Sequence, residues 1–90
     1  MTQKQLEKEG YFNIRKIHKN RIGACGLFHF AFTTGLVIGI DLMGYKGRYC
    51  YEHLADAAEA LENWDGEGDP EGNWIKYKGE GGERTNKFYE

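Results

Sequence analysis

The residues able to do chemistry in this chain are few and scattered. His18, His29 and His53, with Cys25 and Cys50, are the set from which a soft-metal or thiol-nucleophile site would be drawn. A structural zinc site uses four nitrogen or sulfur ligands at compact spacing, and the chain contains no CxxC and no HExxH. Cys25 and His29 share a strand face if the surrounding stretch is extended. Cys50 approaches them only if a third strand pairs suitably. A Cys–His nucleophile also needs an accessible thiolate and an oxyanion-stabilising pocket, which spacing alone does not supply. A structural thiol and a partly buried histidine are the plainer reading. Asp56, Glu59 and Glu62 recur three apart, as on the wet face of a helix. Asp65, Glu67, Asp69 and Glu71 interleave with glycine but lack an EF-hand pattern. Gly79, Gly81 and Gly82 could turn backbone N–H groups toward an anion, yet no phosphate-loop lysine-serine ending follows them. The expectation is a noncatalytic chain with no metal and no cofactor.

Binding chemistry is better represented. Lys46, Arg48, Tyr49 and Tyr51, with Trp74, Lys76, Tyr77, Lys78 and Arg84, combine aromatic rings with cations. Rings stack on bases while lysine and arginine meet phosphate. The same residue types make protein hot spots. The formal net charge is −2, with 12 basic and 14 acidic residues, so nothing drives the whole molecule toward a polyanion. That balance favours a specific local surface over a general nucleic-acid groove. A second cationic run, Arg15, Lys16, Lys19 and Arg21, is broken by Tyr11, Phe12, Ile14 and Ile17. It reads as a solvated edge with apolar anchors, or as an electropositive patch.

These residues must be positioned by a small scaffold. Ninety residues make one domain whose core is modest, and dimerisation is one remedy for a marginal monomer. Two cysteines do not make a disulfide framework, and no signal peptide is evident, so reduced thiols in the cytoplasm are expected. The centre of the core has to come from Ile22–Asp41, the longest apolar stretch. Its length approaches one bilayer crossing, but His29, Thr33, Thr34 and its glycines punctuate it as a hairpin, so no membrane span is expected. Period two puts Phe28, Phe30 and Phe32 on one face, and Leu36, Ile38 and Ile40 on one face of the next strand. The turn between them is expected at Thr33-Thr34-Gly35, with Gly35 at positive φ. Cys25, Leu27, His29 and Ala31 form the other face, left for a terminus or a second copy of the chain to cover.

A third strand is expected over Tyr45–Tyr51, with Tyr45, Gly47, Tyr49 and Tyr51 on one face and Lys46, Arg48 and Cys50 on the other. Glu52–Trp64 is the clearest helix: Leu54, Ala57 or Ala58, Leu61 and Trp64 recur at three- or four-residue spacing, and Gly66 can end it. Residues 64–72 have the composition of a sharply turning loop. Asn73–Lys78 can form a short strand or rim. Thr2 and Gln5 can make a capping box for a short helix with Leu6 as its apolar contact, and residues 1–10 read as disordered, as that docked helix, or as a partner-binding arm. The whole is an α+β domain: a small antiparallel sheet of three or four strands packed against one main helix. Residues 1–21 are a polar, partly flexible arm, 22–78 the compact domain and 79–90 a glycine-rich, partly flexible tail.

The segment GYKGRYCYEHLADAAEALENWDG, followed by GDPEGNWIKYKGEGGERTN, resembles small uncharacterised proteins encoded by bacteriophages and prophages. The shared pattern is a Tyr-rich strand, an Ala-rich helix ending in Trp-Asp-Gly, then Gly-Asp-Pro, Trp-Ile-Lys and Lys-Gly. It covers residues 35–86 and leaves 1–21 outside. The resemblance implies an accessory protein in the cytoplasm of a bacterial host cell, noncatalytic and binding a host protein. A homodimer is the expected assembly. The alternative is a nucleotide or nucleic-acid fragment held on the aromatic and basic residues.

Overall fold

The computed structural model describes residues 2–79 and 81–85. Its elements run α1 (Gln3–Lys8), β1 (Phe12–Ile17), a single 3-10 turn (Lys19–Arg21), β2 (Gly23–His29), β3 (Thr34–Ile38), β4 (Gly47–Tyr51), α2 (Leu54–Asn63), β5 (Trp74–Gly79) and β6 (Gly82–Arg84). The strands form one six-stranded antiparallel sheet in sequence order. The fold is thus α+β, with two to three more strands than the three or four expected. The additional strands have local causes. β1 hides from a period-two reading because its register shifts between Phe12 and Arg15, where Asn13 takes φ 51°. Such a bulge lets Phe12 and Arg15, three apart, reach the same side of the sheet. β6 pairs with β5 through a turn in which Gly81 and Gly82 hold φ of 87° and 90°. Side chains there are strained, which is why glycine occupies both.

Register sorts the side chains into two faces. Phe12, Leu27, Leu36, Tyr49, Tyr77 and Arg84 make one row across all six strands. This is the face that α2 covers: Ala57, Ala60 and Leu61 of the helix join Cys25, Leu27, Leu36, Tyr49, Tyr51, Trp64, Trp74 and Tyr77 in the main core. Leu54, expected in the helix stripe, stands at the first turn and is 46% exposed. The helix spans Leu54–Asn63, inside the expected range, and Trp64 follows it as a buried cap.

The opposite face carries Phe28 and Phe30, which pack with Ala24, Val37, Ile40 and Tyr45 beneath Leu6 and Tyr11. Of the readings for residues 2–10, the docked helix is the one seen. Thr2 Oγ1 accepts from the Gln5 N–H and Gln5 Oε1 accepts from the Thr2 N–H, closing the capping box. Leu6 is then buried against the sheet. The Cys25 and Leu27 face therefore needs no second copy; α2 covers it.

Five expectations about the hairpins are corrected. The β2–β3 turn falls at Phe30–Thr33, closed by the Phe30 N–H to the Thr33 carbonyl, and Thr34 and Gly35 are already strand. Gly35 does not take positive φ; it is small because the Phe30 ring lies over it. Phe32 leaves its expected face for the turn, fully in solvent. Tyr45 precedes β4 and packs with Phe30 on the side away from Tyr49. Ile40 likewise joins the second cluster, after Gly39 turns the chain at φ 65°. Among the described residues no helix is long and apolar enough to cross a membrane.

Candidate functional site

Strand alternation divides the nine aromatic and cationic residues. Tyr49, Tyr51, Trp74, Tyr77 and Arg84 lie on the α2 side. Arg48, Lys76 and Lys78 lie on the other side, and Lys46 precedes β4 with its stem against Gly39. Eight of the nine fall in the neighbouring strands β4, β5 and β6, but not on one surface.

The α2-side group is mostly core. Tyr51 is completely buried, and Tyr49, Trp74 and Tyr77 are 4%, 5% and 6% exposed. Their rings meet at steep angles around Tyr49, 5.1 Å from Trp74 and 4.7 Å from Tyr77. Their polar tips tie down the 64–73 loop. The Tyr51 hydroxyl donates to the Glu71 carbonyl at 2.8 Å, and the Trp74 indole donates to the Pro70 carbonyl at 3.2 Å. The Tyr49 hydroxyl donates to Asp69 at 2.8 Å. Arg84 grips the same carboxylate with both terminal nitrogens, at 2.9 and 2.7 Å, and its guanidinium lies 4.5 Å over the Tyr77 ring. Burial first, and then the neighbouring Asp69 charge, pushes the Tyr49 phenol well above its ordinary range. Arg84 is thus a clasp between β6 and the loop, its charge already met by Asp69.

The other side is different in kind. Val37, Arg48, Lys78 and Glu83 stand in one cross-strand row, with Cys50 and Lys76 in the next. The cover given by Leu6 and Tyr11 reaches Val37, Phe30 and Tyr45. Beyond it the sheet presents Arg48 directly opposite Lys78. Like charges in that relation repel. Glu83 relieves only part of it: Lys76 and Lys78 reach its two oxygens at 3.1 and 3.3 Å. Those two lysines hold the Glu83 carboxyl below the usual carboxylate range. Arg48 lies flat, 4.4 Å over the Phe30 ring, and donates to the Tyr45 hydroxyl at 2.8 Å. Its buried Nε has no hydrogen-bond partner among the described residues.

The histidine and cysteine set does not converge. Cys25 is on the α2 side and Cys50 on the other; both are free thiols. His29 stacks on Phe12 with ring centres 4.6 Å apart. Among the described residues no three His, Cys, Asp or Glu side chains are grouped as a metal site. An acid-edged cleft of about 160 Å³ lies between α2 and residues 71–73, lined by Asp56, Glu59, Ala60, Asn63, Glu71, Gly72 and Asn73.

Two placements were not read from the sequence: the inward course of Arg15 and the exposure of Leu42 and Met43. Arg15, read as part of a basic run, points into the fold and donates to the Leu61 carbonyl and, at 2.9 Å, to the Trp64 carbonyl. It thereby adds a cationic donor to the carbonyls that end α2. No local signal marks an arginine that acts across 46 residues. Leu42 and Met43 form an exposed turn tip that in sequence looks like a connection only. Two adjacent large apolar residues in a turn were the available signal.

No protein-family model matches the chain, and no curated protein or solved structure matches it either.

Proposed function

We propose that this chain is a noncatalytic binding protein, and that the open basic part of its sheet meets an acidic surface on a protein partner. The carrying observation is the Arg48–Lys78 pair: two half-buried cations directly opposed across β4 and β5, of which Lys78 is met by Glu83 and Arg48 by no carboxylate among the described residues. An approaching carboxylate would relieve that repulsion. The phage-type resemblance supports an accessory protein acting on a host protein in the bacterial cytoplasm, and the small core of a ninety-residue chain supports a homodimer as its assembly. Nucleotide or nucleic-acid-fragment binding would use the same cations. It is the weaker reading because the rings meant for stacking, Tyr49, Tyr51, Trp74 and Tyr77, are in the core.

The test uses the biotinylated chain and its Arg48→Gln/Lys76→Gln/Lys78→Gln variant against a bacterial lysate at low and high salt. The expected result is a discrete protein retained by the natural chain, weakened by salt and lost with the variant, both assayed at a temperature where circular dichroism shows them folded. Equal retention by both chains would remove the basic face from the function. Tight binding of a single-stranded oligonucleotide, lost in the variant with no protein retained, would favour the second reading.

A further inference from the structure

We infer that the Leu42–Met43 turn is the apolar anchor of the protein interface proposed above, seating in a concave apolar pocket rimmed by acidic groups on the partner. The inference rests on that reading and adds the partner's surface chemistry to it. Leu42 and Met43 are 83% and 95% exposed. They sit at the apex of a closed turn: the Asp41 N–H donates to the Gly44 carbonyl at 2.7 Å and the Gly44 N–H returns to the Asp41 carbonyl at 3.2 Å. The Asp41 side chain accepts from the Met43 N–H at 2.8 Å, so its carboxylate is turned back into the turn. Polar residues and glycine ordinarily fill such apices. Here two large apolar side chains are held out by a hydrogen-bonded frame, which limits the entropy lost when they dock.

The tip is continuous with the basic face. Tyr45, next to Gly44, accepts the hydrogen bond from Arg48, and Lys46 lies between them in the chain. Apolar anchor and cations therefore sit at the same end of the sheet, since Arg48 is the second residue of β4. Phe32, the other fully exposed large apolar residue among the described residues, is in the preceding turn at the opposite end. Two side chains present too little area for a stable contact on a flat surface or on a second tip. A pocket buries both, and a flexible methionine adapts to its shape. The neighbouring Lys46 and Arg48 fit carboxylates around its mouth. A lipid surface would call for a broader apolar face set among cations.

The experiment places a benzophenone amino acid at position 42, 43, 78 or 62 of the full chain and irradiates each in bacterial lysate. Position 62, on the exposed side of α2, is the control. The expected result is one protein adduct shared by positions 42, 43 and 78 and missing from 62. Leu42→Ser/Met43→Ser should then release that protein at least ~10-fold faster while keeping the natural salt dependence. Both residues are in solvent, so unfolding of the variant should match the natural chain. An adduct at 78 alone, or unchanged release by the Leu42→Ser/Met43→Ser variant, would overturn the anchor and leave the basic face standing. No adduct at any of the three positions would overturn both. An adduct to a second copy of the chain, or vesicle binding lost with Leu42→Ser/Met43→Ser, would replace the pocketed partner with a different occupant.

Discussion

Tyr49 illustrates how a side chain chosen for its ring can be used for its hydroxyl. Its ring is core, and its phenol joins the Asp69–Arg84 clasp. Tyr49→Phe keeps the ring and removes a bond to a carboxylate. A loss of about 1.5 kcal/mol is expected, at the low end for a charged acceptor because Asp69 is partly exposed. Chemical denaturation should show it as a lower midpoint with unchanged slope. Cys25 makes the opposite point. Burial pushes its thiol up to about 11, against the lowering effect of the Arg15 charge. It should resist thiol reagents at about pH 8 in the folded chain and react at once on unfolding. Rapid native labelling at Cys25, mapped by mass spectrometry, would show that the main core opens readily.

At the scale of elements, α2 holds the fold's centre through a short apolar stripe. Leu61 is 1% exposed, and Leu61→Ala should cost about 2–5 kcal/mol. The loop after the helix is fixed as firmly as an element. Gly66 is buried at φ 97°, where an added Cβ would stand 2.7 Å from Ile17 Cγ2 and 3.1 Å from the Lys19 carbonyl. Gly66→Ala therefore combines backbone strain with collision and should lose more than about 1 kcal/mol. Equal stability of the natural chain and the Gly66→Ala variant in urea would mean that the loop shifts freely. The helix was legible because its period and its alanines agree. β1 was not, because one bulge breaks the alternation on which a strand is read.

Across the whole molecule, charge is paired where chain ends and loops must be held. Lys19 reaches Asp65 at 3.4 Å and also pairs with Glu67, and Lys76 and Lys78 share Glu83. The Glu67 backbone N–H first, then Lys19, holds the Asp65 carboxyl below its ordinary value of 3.8, and Glu83 is held below 4.5. A depressed folded value means stability that is present above the unfolded value and lost as pH falls through the folded one. The denaturation midpoint should therefore drop as pH falls from about 5 to about 3. In Glu83→Gln that dependence should be shallower. An unchanged slope in this variant would mean that the β5–β6 ion pairs contribute nothing measurable.

Composition and pattern by themselves determined an α+β chain with a central apolar hairpin and a following helix, because these depend on neighbours within a few residues; which of three readings residues 2–10 follow was decided by the burial of Leu6. Tertiary structure decided the rest. Whether Tyr49 is platform or core depends on which face α2 chooses, and that choice rests on packing against Leu27 and Leu36 from distant strands. Arg15 became a helix cap and Arg84 a clasp because pairing brought them to Leu61 and Asp69, contacts that no local spacing encodes. The same alternation that made nine residues look like one site sent them to two sides of a sheet. What it left together, half-buried beyond the cover of Leu6 and Tyr11, is the set Arg48, Lys76 and Lys78.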